Sequence, residues 1–286
     1  MVELAPQDGG LYAVGFAGDT FNTAWYARQV LGTGWDVQYF TAVGMDDASD
    51  RMIRFMKDAG IGTEQILRRK DRTVGLYMIT LKGAERSFSY WRSTSAAKTL
   101  ADDTDYLDQA LSGVELAYFS GITLAILDVK GRQTLLQALS RVRSKGTKVA
   151  FDPNLRPRLW ASIEEMCDSV TAASAIADIV LPSHEDEATF FGDKDSEATA
   201  LRYLTAGSKV VVVKDGPGEI LFARAGDRYR FKPPVAEAVV DTTAAGDSFN
   251  AGFLASFLDG CTEIESMAAG AKLAAKVISA RGALVV

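Results

Sequence analysis

The most informative stretch of the chain reads Asp241-Thr242-Thr243-Ala244-Ala245-Gly246-Asp247-Ser248-Phe249-Asn250. Phenylalanines recur every four residues from its end, at 249, 253 and 257, and Gly260 stands where a C-cap is expected. This spacing predicts a helix over 248–259 that starts directly from a loop. The small residues at 244, 245 and 246 let consecutive backbone N–H groups point at one spot, where the positive end of the helix dipole adds to them. The stretch therefore predicts an anion-binding site.

Asp247 falls in the first turn of this helix. Its carboxylate would project into the same spot, close enough to take a proton from a hydroxyl that attacks a phosphoryl group. A carboxylate at a helix start can also serve only as an N-cap. The local sequence leaves both interpretations open.

Composition excludes several classes of protein. The chain has 286 residues, of which 48% are hydrophobic and 24% charged, as in an ordinary globular protein. Its net charge of −6 argues against nucleic acid or an anionic membrane as a partner. The single histidine disfavours His-based zinc sites and a Ser-His-Asp hydrolase, since each needs more or better-placed partners.

Cysteine usage and hydropathy bear on location. Cys167 and Cys261 lie far apart without C-x-x-C spacing, so neither a disulfide framework nor a zinc knuckle is indicated. We find no apolar run of the roughly 18 residues that a membrane span needs, and no signal-peptide pattern at the start. A cytoplasmic location is expected.

The second half of the chain alternates helices with apolar strands. Near-continuous apolar runs lie at 116–119, 149–151, 179–181 and 210–213, with helical segments such as 132–143 between them. This pattern predicts a parallel sheet with helices on both faces. Polar or glycine residues follow each run, and ligands of such sheets bind beyond the carboxyl ends of the strands.

A different pattern precedes this region. Short alternating runs at 75–81 and 86–92, joined by a Gly-containing turn at 82–85, predict a β-hairpin. With a strand at 11–16 it would form a small β lid, built from about 9–17 and 60–95. Tyr77, Tyr90 and Arg92 are expected to face inward, although the aromatic rings could pack only against the sheet and the arginine could be solvated.

Two further loops carry polar groups. Gly18-Asp19-Thr20-Phe21-Asn22 precedes a helical segment at 25–31, and Thr20 or Asn22 could simply cap it. In Asp152-Pro153-Asn154-Leu155-Arg156-Pro157-Arg158, two prolines hold an extended turn that presents arginines, whose planar fork suits a carboxylate or a phosphate. One of these arginines could instead pair with Asp152 or Glu185.

The stretch at 241–247 resembles the C-terminal signature of the ribokinase (PfkB) family of sugar kinases, D-T-x-G/A-A-G-D. The resemblance implies an α/β fold, with a ribokinase-like doubly wound, mostly parallel sheet, helices on both faces and a small β lid, in one domain over 1–286. It implies ATP-dependent phosphorylation with Asp247 as general base. The amides of Ala244, Ala245, Gly246 and Asp247 would form the anion hole.

Other motifs resemble the 2-keto-3-deoxygluconate kinases within that family. These motifs are G-D-T-x-N-T-A at 18–24, Y-x-R at 90–92 and D-x-N-x-R-x-x-L-W at 152–160. The resemblance places Gly18, Asp19 and Asn22 against sugar hydroxyls, with Tyr77, Tyr90, Arg92 and Arg156 also on the substrate. Because Arg92 and Arg156 suit a carboxylate, the expected reaction is 2-keto-3-deoxygluconate to 2-keto-3-deoxy-6-phosphogluconate. A fructokinase or ribokinase acting on a neutral sugar, and a non-catalytic sugar-sensing module, are the alternatives.

The chain lacks the G-x-x-x-x-G-K-[ST] pattern, which excludes a P-loop kinase. The expected nucleotide site is therefore the one that the resemblance implies. Lys214, Gly216 and Gly218 resemble the K-x-G-x-x-G nucleotide loop, although they could form an ordinary turn. The other residues expected to contact ATP are Asn154, Arg156, Ser183, Gly246, Ala275 and Ile278.

A magnesium site is expected where Ser183-His184-Glu185-Asp186-Glu187 takes the place of the family's N-x-x-E motif. Asp186 or Glu187 would act on Mg²⁺ through water, although an acidic helix start explains the same residues.

Two further expectations concern the whole molecule. Family members normally begin with a central strand just before a stretch like Met1-Val2-Glu3-Leu4, so the resemblance implies that most of that strand is missing. An unpaired lid edge, together with family habit, favours a homo-oligomer that forms through the lid.

Overall fold

The computed structural model describes residues 1–82, 85–236 and 238–285. Positions 83 and 84, in the turn of the expected hairpin, lie outside the described residues. The strands are β1 Val2–Pro6, β2 Tyr12–Phe16, β3 Thr41–Gly44, β4 Ile66–Arg69, β5 Leu76–Lys82, β6 Glu85–Trp91, β7 Leu116–Ser120, β8 Lys148–Asp152, β9 Ile179–Val180, β10 Val210–Val213, β11 Ile220–Arg224 and β12 Asp227–Phe231. The α-helices are α1 Asp19–Val30, α2 Asp47–Asp58, α3 Thr104–Ala110, α4 Gly121–Ile126, α5 Val129–Ser144, α6 Ile163–Ala175, α7 His184–Phe191, α8 Ser196–Ala206, α9 Ala245–Leu258 and α10 Glu263–Ile278.

The main sheet has six strands in the order β12-β11-β10-β9-β8-β7. Strands β7 to β10 pair in parallel, and β11 and β12 add antiparallel at one edge. The four apolar runs of the sequence form these parallel strands, so the expected α/β sheet is confirmed. Because the strands run the same way, the residues that follow β7, β8 and β10 meet at one edge.

Helices cover both faces of this sheet. Alternate residues of one strand serve opposite layers: Val211 and Val213 of β10 pack in the core under α5, α6 and α8, whereas Val212 packs against Phe249 and Phe253 of α9. Burial on both faces explains why the strands are continuously apolar.

A separate parallel pair, β3 with β4, runs in the register Thr41↔Ile66. Its strands pack with α1 and α2 around Phe21, Met52 and Met56. The lid range of 60–95 inferred from the sequence is therefore too long at its start, because Ile66–Arg69 pairs with β3 and not with the hairpin.

The lid sheet has four strands in the order β2-β1-β5-β6. The hairpin of β5 and β6 and the strand β2 match the prediction, whereas β1, which pairs with both β2 and β5, was not predicted. Tyr77 lies opposite Tyr90, and Glu3 lies opposite Tyr77. Since opposite residues share a face, these three side chains lie on the same side of the lid.

Helix α9 begins at Ala245, before the predicted start at 248. The reason is the left-handed conformation of Ala244 (φ 60°), which ends the loop and makes this alanine the N-cap. Helix α10 begins with a reciprocal capping box formed by the Thr262 and Glu265 side chains.

Helices α9 and α10 pack closely through glycines. A Cβ atom at Gly270 would lie 2.8 Å from the Phe249 carbonyl oxygen, and one at Gly252 would lie 2.9 Å from the Ala269 carbonyl oxygen. Backbone atoms cannot yield as a flexible side chain can, so both positions require glycine. This packing fixes α9, which carries Asp247, against the rest of the fold.

Within the described ranges, none of the helices combines the length and the apolar character that crossing a membrane requires.

We predict that Gly270→Val lowers the free energy of unfolding by about 2–3 kcal/mol, because the added carbons must push α9 and α10 apart. Gly34→Val is the matched control, since a Cβ there meets nothing within 4 Å. Urea denaturation of both variants checks this. Equal stability of the two would show that the helices can separate at little cost.

Candidate active site

The turn before α9 presents backbone N–H groups to the carboxyl edge of the sheet. The Ala245 N–H donates to the Thr242 carbonyl oxygen at 3.2 Å, which closes the turn. The N–H groups of Gly246 and Asp247 make none of the hydrogen bonds found between described residues. These two first-turn amides are the ones that remain available to an anion.

Asp241 fixes the shape of this loop. One carboxylate oxygen accepts from the Thr243 N–H at 3.1 Å and from its hydroxyl at 2.7 Å, and the other accepts from the Gly282 N–H at 2.7 Å. The first aspartate of the signature thus ties the loop to the segment that follows α10.

Asp247 lies half-buried beneath the turn, where its Oδ2 accepts from the Asn22 amide nitrogen at 2.8 Å. Burial raises the pKa of Asp247 to about 8, with the nearby Asp19 and Asp152 adding to the rise, and Asn22 and Lys214 opposing it. The carboxylate does more than cap α9, since it bonds across the site to α1. A base with this pKa is poised to accept a proton near neutral pH.

Gly18 and Asn22 form the base of this arrangement. The Gly18 N–H donates to the Asn22 side-chain oxygen at 3.2 Å, so one amide bridges the loop before α1 and Asp247. Gly18 has φ 156°, a conformation that side chains disfavour. Asn22 lies inside α1, not at its cap, and Gly18 takes the N-cap position.

Asp19 is a second half-buried carboxylate of the site. Its Oδ2 accepts from the Ser120 hydroxyl and, at 3.2 Å, from the Asn154 amide nitrogen. Burial raises its pKa. Asp19 thus joins α1 to the ends of β7 and β8.

The lid contributes aromatic and charged groups to the same space. The Tyr77 hydroxyl donates to the Glu3 carboxylate, and Tyr77 packs in a cluster with Ala244 and Ala283. Arg92 places its guanidinium 4.2 Å from the centre of the Tyr90 ring and is half-buried, and burial lowers its pKa. The expectation that these side chains face inward is consistent with these contacts. Glu3 was missed because it lies in the unrecognised β1.

A polar cluster forms the floor of the site. The Asn250 amide nitrogen donates to Asp152 Oδ2 at 2.7 Å and to the Tyr118 hydroxyl oxygen at 3.1 Å, while its oxygen accepts from Lys214 Nζ at 2.9 Å. A Cβ built on Gly246 would lie 3.8 Å from the same Nζ. Lys214 was expected at the nucleotide, and the structure places its ammonium against the anion-binding turn.

The loop after β8 brings Arg156 to α7. Its Nη1 lies 3.5 Å from Asp186 Oδ2, so the ion pair is with Asp186 and not with Asp152 or Glu185. Burial raises the pKa of Asp186, and Arg156 opposes that rise. Asp186 therefore lies within the site.

Glu187 points away from the site. It is fully buried and accepts hydrogen bonds from Arg202 and Tyr203 of α8. Its expected role in holding a metal has no geometric support here. Among the residues the structure describes, no cluster of three or more His, Cys, Asp or Glu residues could hold a metal ion.

The remaining expected nucleotide residues lie in two places, the loop beside Lys214 and helix α10. Ser183 pairs with Lys214 in an isolated bridge, and Gly216 has φ 49°. The Gly218 N–H donates to the Asp215 carbonyl oxygen at 2.6 Å, so a tight turn accounts for this glycine. Ala275 and Ile278 are half-buried on α10, where the Ile278 carbonyl oxygen accepts from the Val240 and Asp241 N–H groups.

Comparison with known proteins assigns the chain to a family. Residues 7–285 match the model of the pfkB family carbohydrate kinases. The chain belongs to this family. A 2-dehydro-3-deoxygluconokinase of Dickeya dadantii is 39% identical over 100% of this chain and 94% of its own length, and the figures for that of Escherichia coli K12 are the same. A PfkB protein of Polaromonas sp. JS666 superposes with a TM-score of 0.86 at 25% identity, covering 98% of this chain and 93% of its own.

In this pfkB-family kinase, we predict that the pH profile of kcat/KM has an acid limb with its midpoint near pH 8, because Asp247 is active only when deprotonated. Below that pH, kcat/KM should fall about tenfold per pH unit. Asn22→Ala should move the limb to higher pH, since the hydrogen bond that this substitution removes stabilises the ionised carboxylate of Asp247. Initial rates against pH check both expectations.

Asp247→Asn is the control: it should lose about two or more decades of kcat and show no such limb. An acid limb near pH 4 in the wild type would contradict the assignment of a raised pKa to the base.

Proposed function

We propose that this protein transfers the γ-phosphoryl group of ATP to the primary hydroxyl of 2-keto-3-deoxygluconate, giving 2-keto-3-deoxy-6-phosphogluconate and ADP. The observation that carries the proposal is the half-buried Asp247 carboxylate, which lies beside the first-turn amides of α9 and is bonded to Asn22. The names of the two 39% identical relatives, both 2-dehydro-3-deoxygluconokinases, support the substrate.

The chemistry is an in-line displacement at phosphorus. The substrate hydroxyl oxygen bonds to the γ-phosphorus as the bond from that phosphorus to the β-bridging oxygen breaks, and ADP leaves. Asp247 takes the hydroxyl proton. The N–H groups of Gly246 and Asp247 face the charge that gathers on the transferred group, where fixed dipoles are most effective. Ala244 supplies the left-handed turn that aims them.

Arginines account for an acid substrate. Arg92 on the lid and Arg156 on the loop after β8 are the guanidinium groups proposed to contact the sugar acid, and each can bind a carboxylate through two hydrogen bonds. Asp19, Asn22 and Gly18 would then contact the sugar hydroxyls, with Tyr77 and Tyr90 covering the substrate. Kinases of neutral sugars have less reason for two arginines here.

ATP and Mg²⁺ are the proposed cosubstrate and cofactor. Mg²⁺ binds through one or two carboxylates, waters and the nucleotide phosphates, and it does not need a site made only of protein ligands. The single carboxylate of Asp186 is compatible with such binding. When bound, the ion neutralises charge on the β- and γ-phosphates. Asp186 would hold it through water, and Asn154, Arg156, Ser183 and Lys214 would contact the nucleotide.

We further propose that the chain acts as a single domain and pairs with a second copy through its lid. Trp91 of β6 is 57% exposed, which is high for a large apolar side chain, and it lies on the face of the lid opposite to Tyr90 because neighbouring strand residues alternate. Light scattering should therefore show an oligomer that Trp91→Glu weakens. A wild-type protein that is only monomeric would end this part of the proposal.

A coupled ATP-consumption assay tests the substrate. We expect turnover of 2-keto-3-deoxygluconate and little with fructose or ribose, and a loss of at least about tenfold in kcat/KM in Arg92→Ala, because a charged hydrogen-bonded contact is removed. Arg51→Ala, at an exposed position of α2, is the matched control.

Preference for a neutral sugar, with Arg92→Ala unimpaired, would leave the kinase mechanism but overturn the substrate. Absence of transfer to any sugar would favour the non-catalytic sensing module.

A further inference from the structure

Asn250 stands between the opposite charges at the floor of the site. It is fully buried on α9, one helical turn after Asp247. Its amide contacts a carboxylate, a phenol and an ammonium group at 2.7, 3.1 and 2.9 Å, respectively. The first two belong to Asp152 and Tyr118, and the third to Lys214.

The chemistry of these partners fixes the orientation of the Asn250 amide. An ammonium can only donate and an ionised carboxylate can only accept, so the amide oxygen must face Lys214 and the amide nitrogen must face Asp152. Both N–H groups of the amide are then used. Tyr118 is held in turn by the Thr23 hydroxyl, which donates to it at 3.3 Å.

The ammonium of Lys214 forms only a loose ion pair with Asp152. Lys214 Nζ lies 3.7 Å from Asp152 Oδ2, within ion-pair range but beyond hydrogen-bond distance, whereas both groups bond to Asn250. A direct hydrogen bond between the two charged groups would draw the ammonium closer to Asp152. In the observed position it lies against Gly246 in the anion-binding turn.

We infer that Asn250 is a positioning residue that holds the Lys214 ammonium in the phosphate site by taking the place of a direct hydrogen bond between Lys214 and Asp152. The inference rests on the proposed function, because a free ammonium beside Gly246 is useful to an enzyme that binds a triphosphate there. Asn250 touches neither sugar nor phosphate and acts through the charge that it holds.

The same ammonium acts on the general base. Lys214 opposes the rise in the pKa of Asp247, and losing it from the turn would leave that rise unopposed. Asp247 is faced by charged or titratable groups from five other elements or their ends. These groups are Asp19 and Tyr26 of α1, Tyr77 of β5, Tyr118 of β7, Asp152 of β8 and Lys214 after β10.

A double-mutant cycle of Asn250→Ala and Lys214→Met tests the inference. Each single variant should weaken binding of a non-hydrolysable ATP analogue by about tenfold or more, since each removes the placed charge. The double variant should be no more than about twofold weaker than Lys214→Met alone. Calorimetric titration measures this without any sugar, so the test stands even if the proposed sugar is wrong.

The pH dependence of kcat/KM distinguishes this positioning role from a purely structural one. With whichever sugar the wild type phosphorylates, the acid limb should shift to higher pH in Asn250→Ala and in Lys214→Met. Ser266→Ala, which truncates a fully buried hydroxyl of α10 bonded to the Thr262 carbonyl, is the control and should leave the limb in place.

The inference would be overturned if the effects of the two substitutions on the binding free energy of the ATP analogue simply add. It would also be overturned by loss of thermal stability in Asn250→Ala with unchanged nucleotide affinity. If Asn250→Ala does not fold, Asn250→Asp keeps the shape of the side chain. The carboxylate that it adds beside Asp152 should hold the Lys214 ammonium away from Gly246. Unchanged nucleotide affinity in that variant would likewise contradict the assigned role.

Discussion

Carboxylates that must share one poorly solvated space constrain the active site more than any other feature. Burial raises the pKa of Asp19 and of Asp247, and the neighbouring charges of Asp19 and Asp152 raise the pKa of Asp247 further. The structure relieves this crowding with neutral amides, which supply hydrogen-bond donors without adding charge. The pairs are Asn22 with Asp247 at 2.8 Å, Asn154 with Asp19 at 3.2 Å and Asn250 with Asp152 at 2.7 Å. The half-buried ammonium of Lys214 opposes the rise in the pKa of Asp247, which reaches about 8.

The fold brings these groups together from distant parts of the chain. Parallel strands deliver Ser120, Asp152 and Lys214 to one edge of the sheet because their carboxyl ends coincide. Helix α9 is held at that edge by its close packing on α10, which two glycines permit. The lid sheet packs over the turn through the cluster that contains Tyr77. Chemistry at Asp247 thus depends on backbone packing well away from it.

Local patterns in the sequence predicted the parts that local physics controls. The apolar runs gave the parallel strands, and the 241–250 stretch gave the turn and the first-turn position of Asp247. The polar floor could not be predicted, since Tyr118, Asp152, Lys214 and Asn250 come from four elements whose neighbours depend on strand order. Asp186 and its neighbour in the chain, Glu187, could not be told apart because adjacent helical residues face different directions. Strand β1 was missed because five residues with no turn signal resemble any extended segment.

A carboxyl-carbon NMR titration of protein labelled at aspartate would measure the pKa of the general base, with the Asp247→Asn spectrum assigning the signal. We expect a midpoint near pH 8 for Asp247, well above the ordinary range of a carboxyl group. We also expect that the midpoint rises in Lys214→Met, because the opposing charge is lost. A midpoint near pH 4 that ignores this substitution would contradict the claim that crowded, poorly solvated carboxylates set the base.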